Sequence, residues 1–573
     1  MPVPMKKTPL ITGFLLLTLA GTAASQPMPG LEGLWGATLH FGPDIKGALV
    51  IHQTPDGWRG DIAGLSVPAR VDSRSASFEL PDGKGSFRAQ REAGKIIGQW
   101  IQSERYATPV TLKPDRPGHW RGTVVPLENN FTFYMPITRQ ADGSYRTYLR
   151  NPERNIGWFT RVSRLDLNGA SVRLIGRSGA VAETTLAEGR YANDVITVPL
   201  RGGTYEFTRV TDTTHSTFYP RGRPTPRYRY APPKRIDDGW PVASVEDVGI
   251  SRDSIERFVQ MLIDAPMDSL SSLQIHSLLI ARHGKLVVEE YFHGYDRDTP
   301  HDTRSASKSW TGTLIGAAME AGVPLRVDTP VYPTLLGTVP ADLDPRKRAM
   351  TLEHLLTMTA GFNCDPDDPA SADEDQIADQ DSIRDWYRHT LNVPLISAPG
   401  EKIFYCSAEP NLAAGMLATV GREHLPEMFE RLIARPLHMR NYHLWLTPTL
   451  EAYGGGGHQF VPRDFLKLAQ LMVNDGRWEG RQIVSAEWAR KSTSPLRDFS
   501  PTAHWGYLWN ASDYSYRGRT VHAFSAGGNG GQVFIGIPEL DLVIGFTGGN
   551  YSDRIMFTSG RDYVPRYILT ALR

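Results

Sequence analysis

Only two cysteines, Cys364 and Cys406, occur in 573 residues. That leaves at most one internal disulfide, so packed cores and not a covalent framework must hold this chain together. Net charge is absent too. Lysines and arginines number 62 against 62 aspartates and glutamates, so no global field draws the protein to nucleic acid or to an anionic membrane. Beyond the N-terminus no stretch is apolar enough to cross a bilayer. The sequence holds no G-x-S-x-G elbow, no H-E-x-x-H and no phosphate-binding G-x-x-x-x-G-K-S/T. Its 16 histidines show no metal-ligand spacing, and neither metal nor cofactor is expected.

The first 25 residues stand apart. Lys6 and Lys7 precede an apolar run, Leu10 to Ala20, and then small residues at Thr22-Ala23-Ala24-Ser25. This is the layout of a cleaved secretory signal, cut after Ala24 or Ser25. A periplasmic or secreted location follows, with no membrane span after cleavage. In that compartment Cys364 and Cys406 are expected to pair, the other reading being two separate buried thiols.

Residues 26–218 read as an all-β barrel or sandwich. Short β-prone runs such as Ala48 to His52 and Ser171 to Ile175 alternate with turn signals such as Pro55-Asp56-Gly57 and Ala141-Asp142-Gly143. Trp58-Arg59-Gly60 and Trp120-Arg121-Gly122 read either as a worn duplication or as coincidence. The tryptophans Trp35, Trp58, Trp100, Trp120 and Trp158 are core rings or a ligand platform. Cell-wall contact, or capping of a cleft, is the role open to this region. Residues 219–240 are rich in proline and arginine and read as an extended, solvated linker.

From 241 to 573 the pattern changes to α+β. Ile255, Phe258, Val259, Leu262 and Ile263 follow helical spacing after Ser251, a candidate N-cap. Two apolar hairpins are expected, one around Arg282 to Lys285 and one around Pro538 to Asp541. Strands at both ends with helices between predict one antiparallel sheet packed by a helical cluster.

Three pieces carry chemistry. Ser305-Ala306-Ser307-Lys308 opens a segment, Ser305 to Glu320, that reads as a buried helix. Residues three apart on a helix are neighbours, so the lysine amine would lie beside the serine hydroxyl and take its proton. Helix N-terminal N–H groups favour negative charge on a substrate oxygen. Tyr405, in Gly400 to Ser407, is a candidate general base or else a core ring. Ser525-Ala526-Gly527-Gly528 precedes an apolar strand, and its glycines permit close approach of a substrate carbonyl.

In this order the three pieces resemble the serine β-lactamase-like hydrolases, a superfamily of class C β-lactamases, D,D-peptidases, esterases, D-aminopeptidases and nylon-oligomer hydrolases. His354-Leu355-Leu356-Thr357-Met358-Thr359-Ala360-Gly361 is similar to a further family segment, and so is Gly454-Gly455-Gly456-Gly457. The resemblance covers about residues 240–573. It implies that Ser305 is the acylated nucleophile, Lys308 its proton acceptor and Tyr405 the partner base that protonates the leaving group. It also implies an oxyanion hole from the N–H groups of Ser305 and Gly528. Ser407 stands where the family has asparagine, and Ser525-Ala526 where it has Lys-Thr, so ester or short amide substrates are favoured over β-lactams. Ser407, Ser525 and Gly527 would line the substrate site, and a Cys364–Cys406 bridge would flank it. The function expected is an exported serine hydrolase acting on a small ester, amide or peptide; the alternative is a penicillin-binding or sensor-type protein with little turnover.

Overall fold

The computed structural model describes residues 30–153, 160–178, 182–200, 202–380 and 382–573. The expected signal segment and Trp158 lie outside them.

The C-terminal region, residues 241–573, is built on eight antiparallel strands. In spatial order they are Lys285–Tyr291, Ile275–Arg282, Leu542–Gly548, Gln532–Ile537, Arg519–Gly528, Asn510–Tyr516, Ala503–Trp505 and Arg497–Ser500. The two expected hairpins meet here, Ile280 opposite Ile544. Both faces are covered, which is why these strands read as continuous apolar runs. Successive side chains point to opposite faces. Leu278 and Ile280 join a core with the helix Arg252–Ile263, whereas Leu279 and Ala281 pack with Trp310 and Leu314 of the helix Ser307–Glu320. Ser251 caps the first helix, its hydroxyl accepting the Ser254 N–H.

The N-terminal region, residues 33–209, is all-β, as its turn signals imply, but it contains two β units, one nested in the other. Gly33–Phe41 pairs with Asn129–Arg139 and with Gly203–Arg209, closing an eight-stranded barrel. Between its first two strands the chain leaves to form, from Gly47 to Val124, nine strands of a second, twelve-stranded sheet. Trp35, Phe133, Tyr205 and Phe207 fill the barrel, and Trp100 is in the core of the second sheet. Trp58 and Trp120 lie on strands that flank Gly47–Thr54 on either side, and their rings meet with centroids 5.6 Å apart.

The segment 219–240 corrects the expectation of a solvated tether. Tyr228 and Tyr230 are buried. The Tyr228 N–H donates to Gln260 (2.7 Å) and the Tyr230 hydroxyl to the Val287 carbonyl (2.8 Å). Asp238 forms a buried ion pair with Arg463 (2.5 Å). Aromatic and acidic residues spaced among the prolines dock the segment as a strap, because burying those rings outweighs leaving a stiff chain in water.

Candidate active site

The serine motif occupies a tighter geometry than a helix start. Ser305 lies in a 3-10 turn, Arg304–Ala306, and the α-helix begins at Ser307. Arg304 has φ +48°, a left-handed conformation that a side chain adopts only when its surroundings enforce it. Those surroundings are visible. Its guanidinium pairs with Asp302 (3.2 Å) and lies over the Tyr551 ring (5.3 Å). Asp302 chiefly, then Tyr551, Glu374 and Tyr106, stabilise its positive charge against burial.

Three residues on, Lys308 is 1% exposed. Its Nζ donates to Ser305 Oγ at 3.0 Å and to the Gly455 carbonyl at 2.6 Å. A buried amine is therefore held by one hydroxyl and one peptide oxygen. The Tyr405 ring centroid is 4.8 Å from the same Nζ. Tyr405 is 40% exposed and meets Trp505 edge-on at 6.2 Å, so its ring borders solvent. The structure thus brings together Ser305, Lys308 and Tyr405, which are up to 100 positions apart in sequence (405 − 305).

The glycines explain how closely the parts approach. A Cβ on Gly528 would lie 2.3 Å from the Thr303 carbonyl oxygen and 3.0 Å from the Ala306 nitrogen. Only glycine lets that strand end lie against the serine turn. A Cβ on Gly456 would lie 2.9 Å from the Arg304 oxygen. Gly527 and Ser525 precede Gly528 on the same strand, and Asn510 donates to the Ser525 carbonyl (3.2 Å). Ser407 is buried at the start of the helix Ala408–Gly421.

Cys364 and Cys406 form the disulfide, which anchors the residue beside Tyr405 to the chain after Gly361. A second tie lies close by. Glu409 Oε2 accepts the Ala360 N–H (3.2 Å), and complete burial pushes its carboxyl well above the usual carboxylate range. The helix Leu352–Leu356 carries a capping box in which His354 Nδ1 accepts the Thr351 N–H (3.0 Å).

Two contributors had no role assigned to them from the sequence. Gly455 supplies the carbonyl that holds Lys308. Its signal was the run of four glycines, which marks a place where backbones meet. His458 left no such signal. Its carbonyl accepts from the Thr303 N–H (3.0 Å) and hydroxyl (2.7 Å), and its Nδ1 accepts the Trp445 N–H (3.0 Å). Burial pushes this imidazole down to about 3, which keeps it neutral and able to accept. Among the described residues no cluster of three metal-ligating side chains occurs, and no helix is long and apolar enough to cross a membrane.

An antiparallel sheet with a serine-lysine helix against one face defines a class, and comparison with known proteins names it. Residues 262–552, just over half of the chain, match the Beta-lactamase family, to which the protein belongs. The 6-aminohexanoate-dimer hydrolase of Paenarthrobacter ureafaciens is 26% identical over 225 residues, 37% of this chain and 55% of that protein. The chain thus spans about half the length of this curated relative. Among solved structures, a putative 6-aminohexanoate-dimer hydrolase from Bacillus anthracis aligns at 20% identity and TM-score 0.43, over 51% of this chain and 78% of its own. EstCE1, described as a hydrolase with promiscuous acyltransferase activity, aligns at 18% identity and TM-score 0.44, over 56% and 97%.

Proposed function

We propose that the protein is an exported serine hydrolase that cleaves an ester or amide through an acyl-enzyme on Ser305. The observation that carries this reading is the 3.0 Å contact between the buried Lys308 amine and Ser305 Oγ. Ser305 Oγ attacks the substrate carbonyl carbon as its proton passes to the lysine amine. Tyr405, whose ring adjoins that amine, relays the proton to the leaving group. The N–H groups of Ser305 and Gly528 stabilise the oxyanion, a contribution of about 2.7–4 kcal/mol for each donor in comparable sites. Water then hydrolyses the acyl-serine.

The absence of a cation at Ser525 and of an amide side chain at Ser407 favours neutral or amine-bearing substrates over carboxylate-bearing β-lactams. The disulfide supports an oxidising compartment. Turnover of p-nitrophenyl esters and short amides, abolished by Ser305→Ala, tests the reading. Acylation of Ser305 without multiple turnover would instead support the sensor-type alternative.

A further inference from the structure

The N-terminal β region was open to roles in wall binding or capping, both of which treat it as an appendage. Its second sheet is instead continuous with the backbone that carries the nucleophile. Strand Tyr106–Arg116 pairs with Tyr442–Trp445, Tyr106 opposite Trp445 and Ala107 opposite Leu444. Tyr442–Trp445 pairs with Gln459–Phe460, which pairs in turn with His301–Asp302. Ser305 follows three residues later. Side chains reinforce the ladder. Thr108 Oγ1 and His443 Nδ1 are 2.7 Å apart and buried, and the Leu446 N–H donates to the Arg105 carbonyl (2.8 Å). Ile101 and Ala107 belong to the same apolar core as Trp310 and Leu314 of the serine helix.

Two lines run from the start of this strand to the reacting atoms. Along the first, the Arg105 guanidinium lies over the Trp386 ring (6.0 Å). Trp386 packs with Trp445 and Tyr453, centroids 5.6 and 5.2 Å away. Tyr453 lies so close to Gly455 that a Cβ there would come within 2.4 Å of its ring, and the Gly455 carbonyl holds Lys308 Nζ. Along the second, Tyr106 stands opposite Trp445, where cross-strand side chains are neighbours; a Cβ on Gly457 would come within 3.0 Å of the Trp445 ring, and the Gly457 N–H donates to the Arg304 carbonyl (3.3 Å). Arg304 is the left-handed residue directly before Ser305.

We propose that Arg105 and Tyr106 are positioning residues for the hydrolase site, and that the N-terminal β region sets the reactivity of Ser305 through them. The proposal rests on the serine-hydrolase reading above. Arg105 fixes the aromatic wall behind Gly455, and Tyr106 fixes Trp445 against Gly457, whose N–H holds the Arg304 carbonyl and with it the serine turn. Neither touches the scissile bond. Their loss would shift the Lys308–Ser305 geometry, and misplacements near 1 Å cost on the order of a hundredfold in rate.

The test uses the full chain. Wild type and Ser305→Ala are first treated with a fluorophosphonate and mapped by mass spectrometry; a wild type that is not modified at Ser305 overturns the hydrolase reading itself. With labelling established, the labelling rate constant and the kcat and KM for p-nitrophenyl acetate are measured for Tyr106→Ala, Arg105→Ala and Arg121→Ala, a control on the exposed side of the same sheet. The expected result is a fall of ten- to a hundredfold in labelling rate and in kcat for the first two, with KM within threefold, an unchanged melting temperature, and the control at wild-type rate. Tyr106→Phe keeps the ring opposite Trp445 and should recover most of the rate. Should Tyr106→Ala not fold, Tyr106→Leu and Arg105→Ala carry the decision. Wild-type rates in the folded alanine or leucine variants, or an equal loss in the control, would overturn the proposal.

Discussion

Replacing Gly528 by alanine isolates the oxyanion geometry from the rest of the site. The new Cβ would lie 2.3 Å from the Thr303 carbonyl oxygen and 3.2 Å from Arg304 Cβ, where ordinary contact begins at 3.4 Å. The obstructing oxygen is backbone, held in place on a residue whose own N–H and hydroxyl both donate to the His458 carbonyl. Strand and turn must therefore part by 3.4 − 2.3 ≈ 1.1 Å. Such a displacement forfeits most of one oxyanion donor, about 2.7–4 kcal/mol of transition-state stabilisation, or roughly a hundred- to a thousandfold in acylation rate. Overpacking costs about 1–3 kcal/mol in stability as well. The assay is pre-steady-state acylation by a p-nitrophenyl ester, read with a melting curve. Gly518→Ala is the matched control. It lies in the turn before the same strand, has φ +77° and meets nothing within 4 Å, so it should lose about 1 kcal/mol of stability and no acylation rate. A folded Gly528→Ala protein that acylates at the wild-type rate would refute the assignment of this strand end to the oxyanion hole.

Other perturbations probe separate parts of the account. Lys308→Met should slow acylation by 10²- to 10⁴-fold, the usual contribution of general base catalysis, with the fold retained because the replacement is buried and apolar. Serine at both Cys364 and Cys406 opens a loop of 406 − 364 = 42 positions, whose closure entropy gives about 4 kcal/mol; chemical denaturation with and without reductant measures it. Acid should destabilise the fold through His458. Its imidazole is held down to about 3 in the folded protein and titrates near 6.5 when unfolded, so stability is complete above pH 6.5 and drains away as pH falls toward 3. Urea unfolding between pH 7 and 4 should show this acid limb, to which the buried His276, His293, His424 and His443 contribute in the same sense, and His458→Asn should make it shallower by one proton's share. Glu451, pushed up to about 7 by burial, acts in the opposite sense: its contribution is present below pH 4.5 and lost as pH rises through 7, so Glu451→Gln should steepen the rise of stability between pH 4.5 and 7.

Local signals in the sequence carried far here, and long-range ones carried nothing. Ser305 and Lys308 lie three apart, so helical geometry alone predicts their contact. Both apolar hairpins and the Ser251 cap follow from patterns within a dozen residues. The start of the serine helix was misplaced by two residues, because the 3-10 turn is imposed by Asp302, Tyr551 and His458 and not by local propensity. Pairing of Tyr106 with Trp445 spans 339 positions (445 − 106) and has no local trace. Nesting of one β unit inside another is invisible for the same reason, since every strand looks alike from within. The strap at 219–240 was misread because proline and arginine dominate its composition, whereas Tyr228, Tyr230 and Asp238 decide where it goes.

Peptide mapping of the folded protein after exposure to a fluorophosphonate tests the central claim most directly. The account predicts a single covalent adduct on Ser305, formed far more slowly in Lys308→Met. An adduct on another serine, or none on folded protein across several acylating probes, would contradict it.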